Sequence, residues 1–190
     1  VEDLVPFAME GERLACGTAH ADNVAPALLG GFVLIRSYDP LDIIPIDTPK
    51  ELIATVIYPQ IEVATKDARQ ILQKKVPLTD AITQWGNVAG LVTGLLKSDY
   101  QLIGRSLQDV IIEPVRSLLI PGFQEVKAAA LEAGALGCAI SGSGPSIFSL
   151  SKDETIAQQV AQAQQAAFLN LGIESNTYVS PVNQDGPIVL

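Results

Sequence analysis

The chain has 190 residues, of which 48% are hydrophobic and 17% are charged, and its formal net charge is −9. This length and composition are typical of a folded protein with one sizeable domain or two small ones, and they exclude a disordered chain. The acidic balance argues against nucleic acids and anionic membranes as partners. One histidine excludes a histidine-rich metal site, and two separated cysteines, Cys16 and Cys138, favour a reduced, cytoplasmic protein in which both side chains serve packing.

The first predicted element is a helix that runs to about Ala15 and stops at Gly17, a residue type that favours the left-handed turn after a helix. Helical spacing is present from the start, there is no initiator Met, and no signal peptide or bilayer-spanning stretch is visible. We therefore expect residue 1 to be a cut end inside a longer protein. A short segment over residues 19–29, with Asp22 and Asn23 at a junction, precedes an apolar run, 32–35, that predicts a buried strand.

The middle of the chain predicts a strand over residues 51–58, ended by Pro59, and a helix over residues 65–72 that Thr65 opens. A longer helix follows Thr79 and Asp80. Apolar side chains repeat along it in steps of three and four residues, and we expect this stripe to lie in the core: Ile82, Trp85, Ala89, Val92 and Leu96.

The last third predicts a helix over residues 123–133, two β runs, a long helix ended by Gly172, and a final strand over residues 177–179. The β runs are 136–140 and 146–150. This order predicts an α+β fold, with helices on one face of a mostly antiparallel sheet.

A glycine-rich loop joins the two β runs: Ser141, Gly142, Ser143, Gly144 and Pro145. Consecutive backbone N–H groups without large side chains are what an anion-cradling loop needs. A strand follows the loop and no Gly-Lys-Ser/Thr ending is present, so neither a Walker A loop nor a Rossmann fingerprint is satisfied. From the residues alone, a plain glycine hairpin is the competing interpretation.

A second group of polar residues follows the first helix. His20, Asp22 and Asn23 lie close together, with Glu12 about two helical turns earlier, so all of them could face one pocket. Carboxylate, amide and imidazole groups suit Mg²⁺ and a hydroxyl-bearing substrate. The alternative is that Asp22 or Asn23 caps the next helix and His20 is a hydrogen-bonded, half-buried side chain.

Thr65, Arg69 and Arg116 are candidates for a carboxylate clamp. Thr65 and Arg69 are one helical turn apart, and charge-assisted hydrogen bonds from arginine suit a carboxylate. A solvated surface position is the alternative for each arginine.

These segments, in this order, resemble homoserine kinases of the galactokinase, homoserine, mevalonate and phosphomevalonate (GHMP) kinase superfamily. The most specific match is the run from His20 to Gly31, which resembles the family's H-x-D-N-x-A-P-x-x-x-G-G segment. Supporting matches, which include the glycine-rich loop as the superfamily's third motif, are residues 65–69, 109–116, 120–123 and 137–146. The family's phosphate loop, P-x-x-x-G-L-G-S-S-A, has no counterpart in this sequence, and we expect it to precede residue 1.

The resemblance implies a ferredoxin-like GHMP kinase C-terminal domain over residues 37–190, preceded by the end of the N-terminal domain over residues 1–36. It implies phosphorylation of the L-homoserine hydroxyl by ATP, a step of threonine biosynthesis. The resemblance implies that Glu12 is a Mg²⁺ ligand and that Asn23 and Asp22 are the catalytic residues, with Asn23 in contact with the homoserine hydroxyl. An aspartate near this place is a general base in related kinases, but for Asp22 we expect a structural or electrostatic role. The implied substrate-binding residues are His20, Asn23, Thr65, Arg69 and Arg116, with Ser141, Gly142, Ser143 and Gly144 beside the phosphates.

Three alternatives stay open: a sister GHMP kinase acting on another small alcohol, a catalytically inert domain that binds an amino acid or a partner protein, and a structural fragment that needs the absent segment. Without the phosphate loop, the isolated chain should bind ATP poorly and transfer phosphoryl groups slowly. Homoserine and ATP are the expected ligands, a homodimer is expected by family analogy, and no nucleic acid or membrane partner is expected.

Overall fold

The computed structural model describes residues 2–62, 71–72 and 74–188. By its internal contacts the chain divides into two compact units. Unit 1 consists of Val1–Lys50 and Val182–Leu190, and unit 2 consists of Glu51–Pro181. The predicted boundary between residues 36 and 37 falls within a strand of unit 1.

Unit 1 contains two helices and a hairpin. After a short 3₁₀ turn over Glu2–Leu4 come helix α1 (Val5–Cys16), helix α2 (Val24–Leu29), strand β1 (Phe32–Tyr38) and strand β2 (Leu41–Ile46), which pairs antiparallel with β1. Helix α1 ends as predicted, with Gly17 in the left-handed region at φ 80°. Strand β2 has no counterpart in the predicted elements, because Pro45 removes a backbone donor and argues against a strand.

The C-terminal segment of the chain packs within unit 1. The Gly31 N–H donates to the carbonyl oxygen of Asn183 over 2.6 Å. A Cβ atom on Gly30 would lie 2.6 Å from the backbone of Asp185, and Gly30 has φ 78°. Gly30 therefore has both a steric and a conformational reason to be glycine.

Unit 2 is an α+β layer, as predicted. Its elements are strand β3 (Ile53–Pro59), helix α3 (Leu78–Lys97), helix α4 (Tyr100–Ser106), helix α5 (Glu113–Arg116), helix α6 (Phe123–Glu132), strand β4 (Gly137–Ile140), strand β5 (Ile147–Ser151), helix α7 (Glu154–Asn170) and strand β6 (Ser175–Pro181). The strand order is β4-β5-β3-β6, with antiparallel pairing between all neighbours. With α6 and α7 as its crossovers, this is the ferredoxin-like topology.

The core of unit 2 lies between the sheet and helices α6 and α7. Alternate residues of β3 are buried, and the fully buried Thr55 side chain donates to the carbonyl oxygen of Ala157 on α7 over 3.2 Å. The buried side chains that form this core are Ile57, Ile120, Phe123, Val126, Ala130, Cys138, Ile147, Val160 and Phe168.

The prediction that the apolar stripe of helix α3 lies in the core is wrong. The stripe that was expected to lie in the core is largely exposed, with Trp85 64% exposed and Ile82 55% exposed. The helix instead packs on α4 through its glycines, because a Cβ atom on Gly94 would lie 2.9 Å from the backbone nitrogen of Ile103. The spacing of apolar residues correctly identified an apolar face of α3. It did not identify the face that packs on α4, because glycines give no hydrophobic signal even where they allow two helices to approach closely.

Candidate functional site

Glu12 lies on the face of α1 that packs against α2. Val5 and Met9 occupy the two preceding turns of that face, and they pack with the buried side chains of Ala21 and Ala25. Glu12 is half-buried at the next turn of the same stripe.

Asn23 is the N-cap residue of α2, but its side chain makes no capping hydrogen bond. Asn23 and Asp22 are exposed, and His20 is half-buried. The capping explanation for Asn23 is therefore wrong. Its amide is therefore not engaged in the capping bond that this position usually makes.

The described residues contain no group of three or more His, Cys, Asp and Glu side chains able to hold a metal ion. A metal cage made of protein ligands alone is thus not supported by the described part of the chain. Magnesium bound with a nucleotide needs only one or two carboxylates, because the phosphates and waters supply the remaining ligands. A single half-buried carboxylate such as Glu12 fits that requirement.

The glycine-rich loop connects β4 and β5 as a tight hairpin. The Ser141 N–H donates to Ser146, and the Gly144 N–H donates to the Ser141 carbonyl oxygen over 3.0 Å. Gly142 and Gly144 have φ values of 58° and 80°. Among the hydrogen bonds of the described residues, the N–H groups of Gly142 and Ser143 have no acceptor. These two successive donors at the tip of the hairpin make it suitable for an anion.

Arg116 contacts this loop. It lies in the last turn of α5, and its Nη1 donates to the Gly142 carbonyl oxygen over 2.7 Å. The predicted clamp residue and the predicted phosphate-side loop, which are 26 residues apart in sequence, therefore lie side by side in unit 2. A guanidinium next to two unpaired backbone donors gives this part of the surface a positive character in an acidic chain.

An ion pair that was not predicted from the sequence joins the first turn of α5 to α6. Glu113, in the first turn of α5, accepts a hydrogen bond from the Lys127 ammonium of α6, and both side chains are largely buried. Burial raises the pKa of the Glu113 carboxyl, the Lys127 ammonium opposes that rise, and Asp109 adds slightly to it. Glu113 and Lys127 each stand among apolar residues in the sequence, which is a signal of charged side chains that become buried. Their spacing of 14 residues did not show that the two side chains are partners.

A small cavity of about 180 Å³ lies beside this ion pair. Asp109, Glu113, Lys127 and Cys138 are among its lining residues. The second carboxylate oxygen of Glu113 is buried and has no hydrogen-bond partner among the described residues. Among the described residues, the Lys127 ammonium therefore provides most of the interaction that offsets the cost of burying the Glu113 charge.

Cys138 is buried, which agrees with the predicted packing role. Burial raises the pKa of its thiol to about 11, although the Ser149 hydroxyl acts in the opposite direction. The Gln164 amide donates to the Ser149 hydroxyl over 3.1 Å beside it. A thiol in this environment is protonated at neutral pH and is a poor nucleophile.

The structure places the predicted site residues on both units. Glu12, His20, Asp22 and Asn23 belong to unit 1, whereas Arg116 and the glycine-rich loop belong to unit 2. Thr65 and Arg69 lie outside the described residues, as does most of the helix predicted over 65–72. A groove of about 630 Å³ in unit 2 runs between α7 and β6, and neither Arg116 nor the glycine-rich loop lines it.

Residues 91–170 match the family model described as GHMP kinases C terminal. The chain contains a GHMP kinase C-terminal domain. It is 57% identical over 189 residues to a homoserine kinase of Chloroherpeton thalassium and 55% identical over 190 residues to one of Chlorobaculum tepidum, covering 99% of the chain and 59% of each relative. The chain thus spans about three fifths of the length of these relatives.

The fold of the chain also matches a solved structure. The crystal structure of homoserine kinase from Cytophaga hutchinsonii superposes with a TM-score of 0.97 and 63% identity, over all of the chain and 60% of that protein. The α+β assignment therefore agrees with a solved structure as well as with the strand order. No helix among the described residues has the length and apolar character needed to cross a membrane.

Proposed function

We propose that the intact protein carrying this chain is a homoserine kinase, which transfers the γ-phosphoryl group of ATP to the hydroxyl of L-homoserine. The main support for the proposal is the hydrogen bond from Arg116 to Gly142. It places a guanidinium, which suits a carboxylate, beside a loop whose N–H groups suit a phosphate. The identity of 55% or more to relatives that bear this name supports the same reaction.

Arg116 would bind the carboxylate of homoserine through its guanidinium fork, and the N–H groups of Gly142 and Ser143 would face phosphate oxygens. A carboxylate substrate distinguishes homoserine from a sugar, which offers no anion to an arginine. The resemblance assigns Thr65 and Arg69 to the same end of the substrate, and His20 to its binding pocket.

Asn23 would hydrogen-bond the hydroxyl that is phosphorylated, since its amide is not used to cap α2. Glu12 would hold Mg²⁺ together with the nucleotide phosphates, and that ion, when bound, would offset the negative charge of the phosphates. We assign Asp22 an electrostatic role, with the proton of the hydroxyl passing to a phosphoryl oxygen.

The reaction is tested by homoserine-dependent release of ADP from Mg-ATP, measured on the intact protein with homoserine, mevalonate and a sugar as parallel substrates. Turnover with homoserine alone is the expected result. Turnover with mevalonate or a sugar would identify a sister kinase, and calorimetric binding of homoserine without turnover would identify an inert amino-acid-binding protein.

The residue roles are tested by two pairs of variants. Arg116→Ala should raise KM for homoserine by about a hundredfold or more, because a carboxylate loses its charged partner, whereas the exposed Arg105→Ala should leave KM unchanged. Asn23→Ala should lower kcat by about a hundredfold, and Asp22→Asn should stay near wild type. Inactivation by Asp22→Asn would show that Asp22 is a general base instead.

A further inference from the structure

Helix α5, which carries Arg116, is too short to hold its own shape. It spans only Glu113–Arg116, which is little more than one turn. Forming the first turn of a helix costs more conformational entropy than its first hydrogen bond offsets, so an isolated turn is unstable in water. The position of the Arg116 side chain must accordingly be set by contacts that α5 and its flanks make with other elements.

The segment that leads into α5 is held by hydrogen bonds before the helix begins. The Asp109 carboxylate accepts hydrogen bonds from the backbone N–H groups of Ile111 and Ile112 over 2.9 and 2.8 Å. The Val110 N–H donates to the side-chain oxygen of Gln84 on α3 over 3.0 Å. These bonds fix the backbone that precedes α5, but they do not reach the turn that carries the arginine.

The ion pair between Lys127 and Glu113 joins α5 itself to a rigid support. Lys127 lies on α6, a helix whose Phe123, Val126 and Ala130 side chains are buried in the core of unit 2. Its ammonium also lies over the Phe123 ring, 5.8 Å from the ring centroid. Core packing therefore fixes the backbone at Lys127, and the bond from its ammonium extends that fixed position to Glu113.

The pair is not what stability alone would favour at this place. Two charges buried side by side are often no better for stability than apolar side chains of similar size. The second oxygen of Glu113 is buried without a hydrogen-bond partner among the described residues, and the pair borders the cavity of about 180 Å³. An ion pair differs from an apolar contact because it is directional, so it fixes the orientation of the turn that carries it.

Arg116 is three residues beyond Glu113 in the same turn. Side chains with this spacing are neighbours on a helix, with about 5–6 Å between their Cβ atoms. A shift of α5 at Glu113 therefore also moves the Arg116 guanidinium. A displacement of about 1 Å is enough to lose a hydrogen bond, since Nη1 lies 2.7 Å from the Gly142 carbonyl oxygen and such bonds are lost beyond about 3.5 Å.

We propose that Glu113 and Lys127 are positioning residues that hold the Arg116 guanidinium beside the glycine-rich loop, oriented for the carboxylate of the substrate. The inference rests on the proposed function, in which Arg116 binds the carboxylate of homoserine. The pair acts through α5, so neither of its members needs to touch the substrate. An arginine that is already oriented loses less side-chain entropy when the carboxylate binds, and this lowers KM for homoserine.

The first test uses the intact protein and a pair-deleted variant, Glu113→Gln combined with Lys127→Met, which leaves no unpaired buried charge. KM for homoserine should rise about tenfold, with kcat and the KM for Mg-ATP within about threefold of wild type. Lys127→Arg keeps a charged donor for Glu113, and the adjoining cavity gives the guanidinium room, so KM should stay near wild type. An unchanged KM for homoserine in the pair-deleted variant would overturn the proposal.

Val126→Ala is the matched control for loosening of α6. It removes buried methyl groups next to Lys127 and lowers stability, but it leaves the pair in place. KM for homoserine should therefore match wild type. A rise as large as that of the pair-deleted variant would show that any weakening of α6 has this effect, and the positioning role would be refuted.

The action through Arg116 is tested by a double-mutant cycle. In an Arg116→Ala background, deletion of the pair should change KM for homoserine by less than about twofold, because the side chain that the pair positions is already absent. A further rise of about tenfold in that background would show that the pair acts independently of Arg116, which contradicts the proposal.

Failure of the proposed function would be seen separately, as wild-type protein that does not phosphorylate homoserine. The position of Arg116 is then followed by the NMR signals of its guanidinium, which are identified by their loss in Arg116→Lys. These signals should shift in the pair-deleted variant and not in Val126→Ala. Unchanged signals in the pair-deleted variant would overturn the positioning role whichever substrate the protein uses.

Discussion

The ion pair between Glu113 and Lys127 joins α5 to α6, and the structure allows us to work out how much stability its removal would cost. The side chains are only 11% and 18% exposed, and the second carboxylate oxygen has no partner among the described residues. Lys127→Met would leave a buried carboxylate without its counter-charge. The Glu113 carboxyl could avoid the unpaired charge by binding a proton. Protonating a carboxyl with an ordinary pKa of 4.5 at pH 7 costs about 3 kcal/mol.

We therefore expect Lys127→Met to lower the free energy of unfolding by about 3 kcal/mol at neutral pH. The loss should depend on pH in a defined direction. Without Lys127 the folded-state pKa of Glu113 rises further above its unfolded value, so the folded state binds more protons between the two pKa values. Stability of the variant should fall as pH rises from about 4.5 through the raised pKa.

The assay is urea denaturation followed by circular dichroism, at several pH values from about 5 to 8. Adding Glu113→Gln to Lys127→Met should recover most of the loss, because no buried charge then remains. Arg13→Met, which breaks the exposed pair with Glu10, is the control and should change stability by less than about 0.5 kcal/mol. A loss below about 1 kcal/mol that does not vary with pH would refute the reasoning.

Other parts of the fold give further expected outcomes. Phe168→Ala should cost about 3–5 kcal/mol in urea denaturation, because the side chain is fully buried, whereas Leu169→Ala at the exposed neighbouring position should cost less than about 1 kcal/mol. Gly94→Ala should cost more than about 1 kcal/mol by the same measurement, because the new methyl group would lie 2.9 Å from a backbone nitrogen of α4. In a variant whose other cysteine is serine, Cys138 should react with a thiol reagent at about pH 8 only after unfolding, and rapid labelling of the native protein would contradict its burial.

The sheet and its helices could be predicted because their signals are local. Gly17, Gly134 and Gly172 ended helices where expected, and all three have positive φ values. The β runs on either side of the glycine-rich loop alternate with helical patterns, and this order predicts the α+β layer, whereas the ferredoxin-like arrangement was implied by the family resemblance. Strand β2 and helix α4 were not predicted, since Pro45 weakens the pattern of β2, and the seven residues of α4 are too few to show a clear periodicity.

The candidate site was only partly predictable, because contacts between distant residues leave no local trace. The sequence placed Asn23 beside Asp22 at a junction, but only the structure shows that its amide does not cap α2. Arg116 was a candidate for its residue type, whereas its bond to Gly142 depends on the packing of α5 against the β4–β5 hairpin. The support from Lys127 depends on helix packing in the same way.

The return of the chain into unit 1 affects the order in which the protein can fold during synthesis. The segment that begins at Val182 completes unit 1, where the Asn183 carbonyl receives the Gly31 N–H, so this unit cannot close until synthesis has passed the end of unit 2. Unit 2 is one continuous stretch whose first and last strands pair at Ile53 and Pro181. It can therefore assemble first, and it then delivers the C-terminal segment for unit 1 to bind.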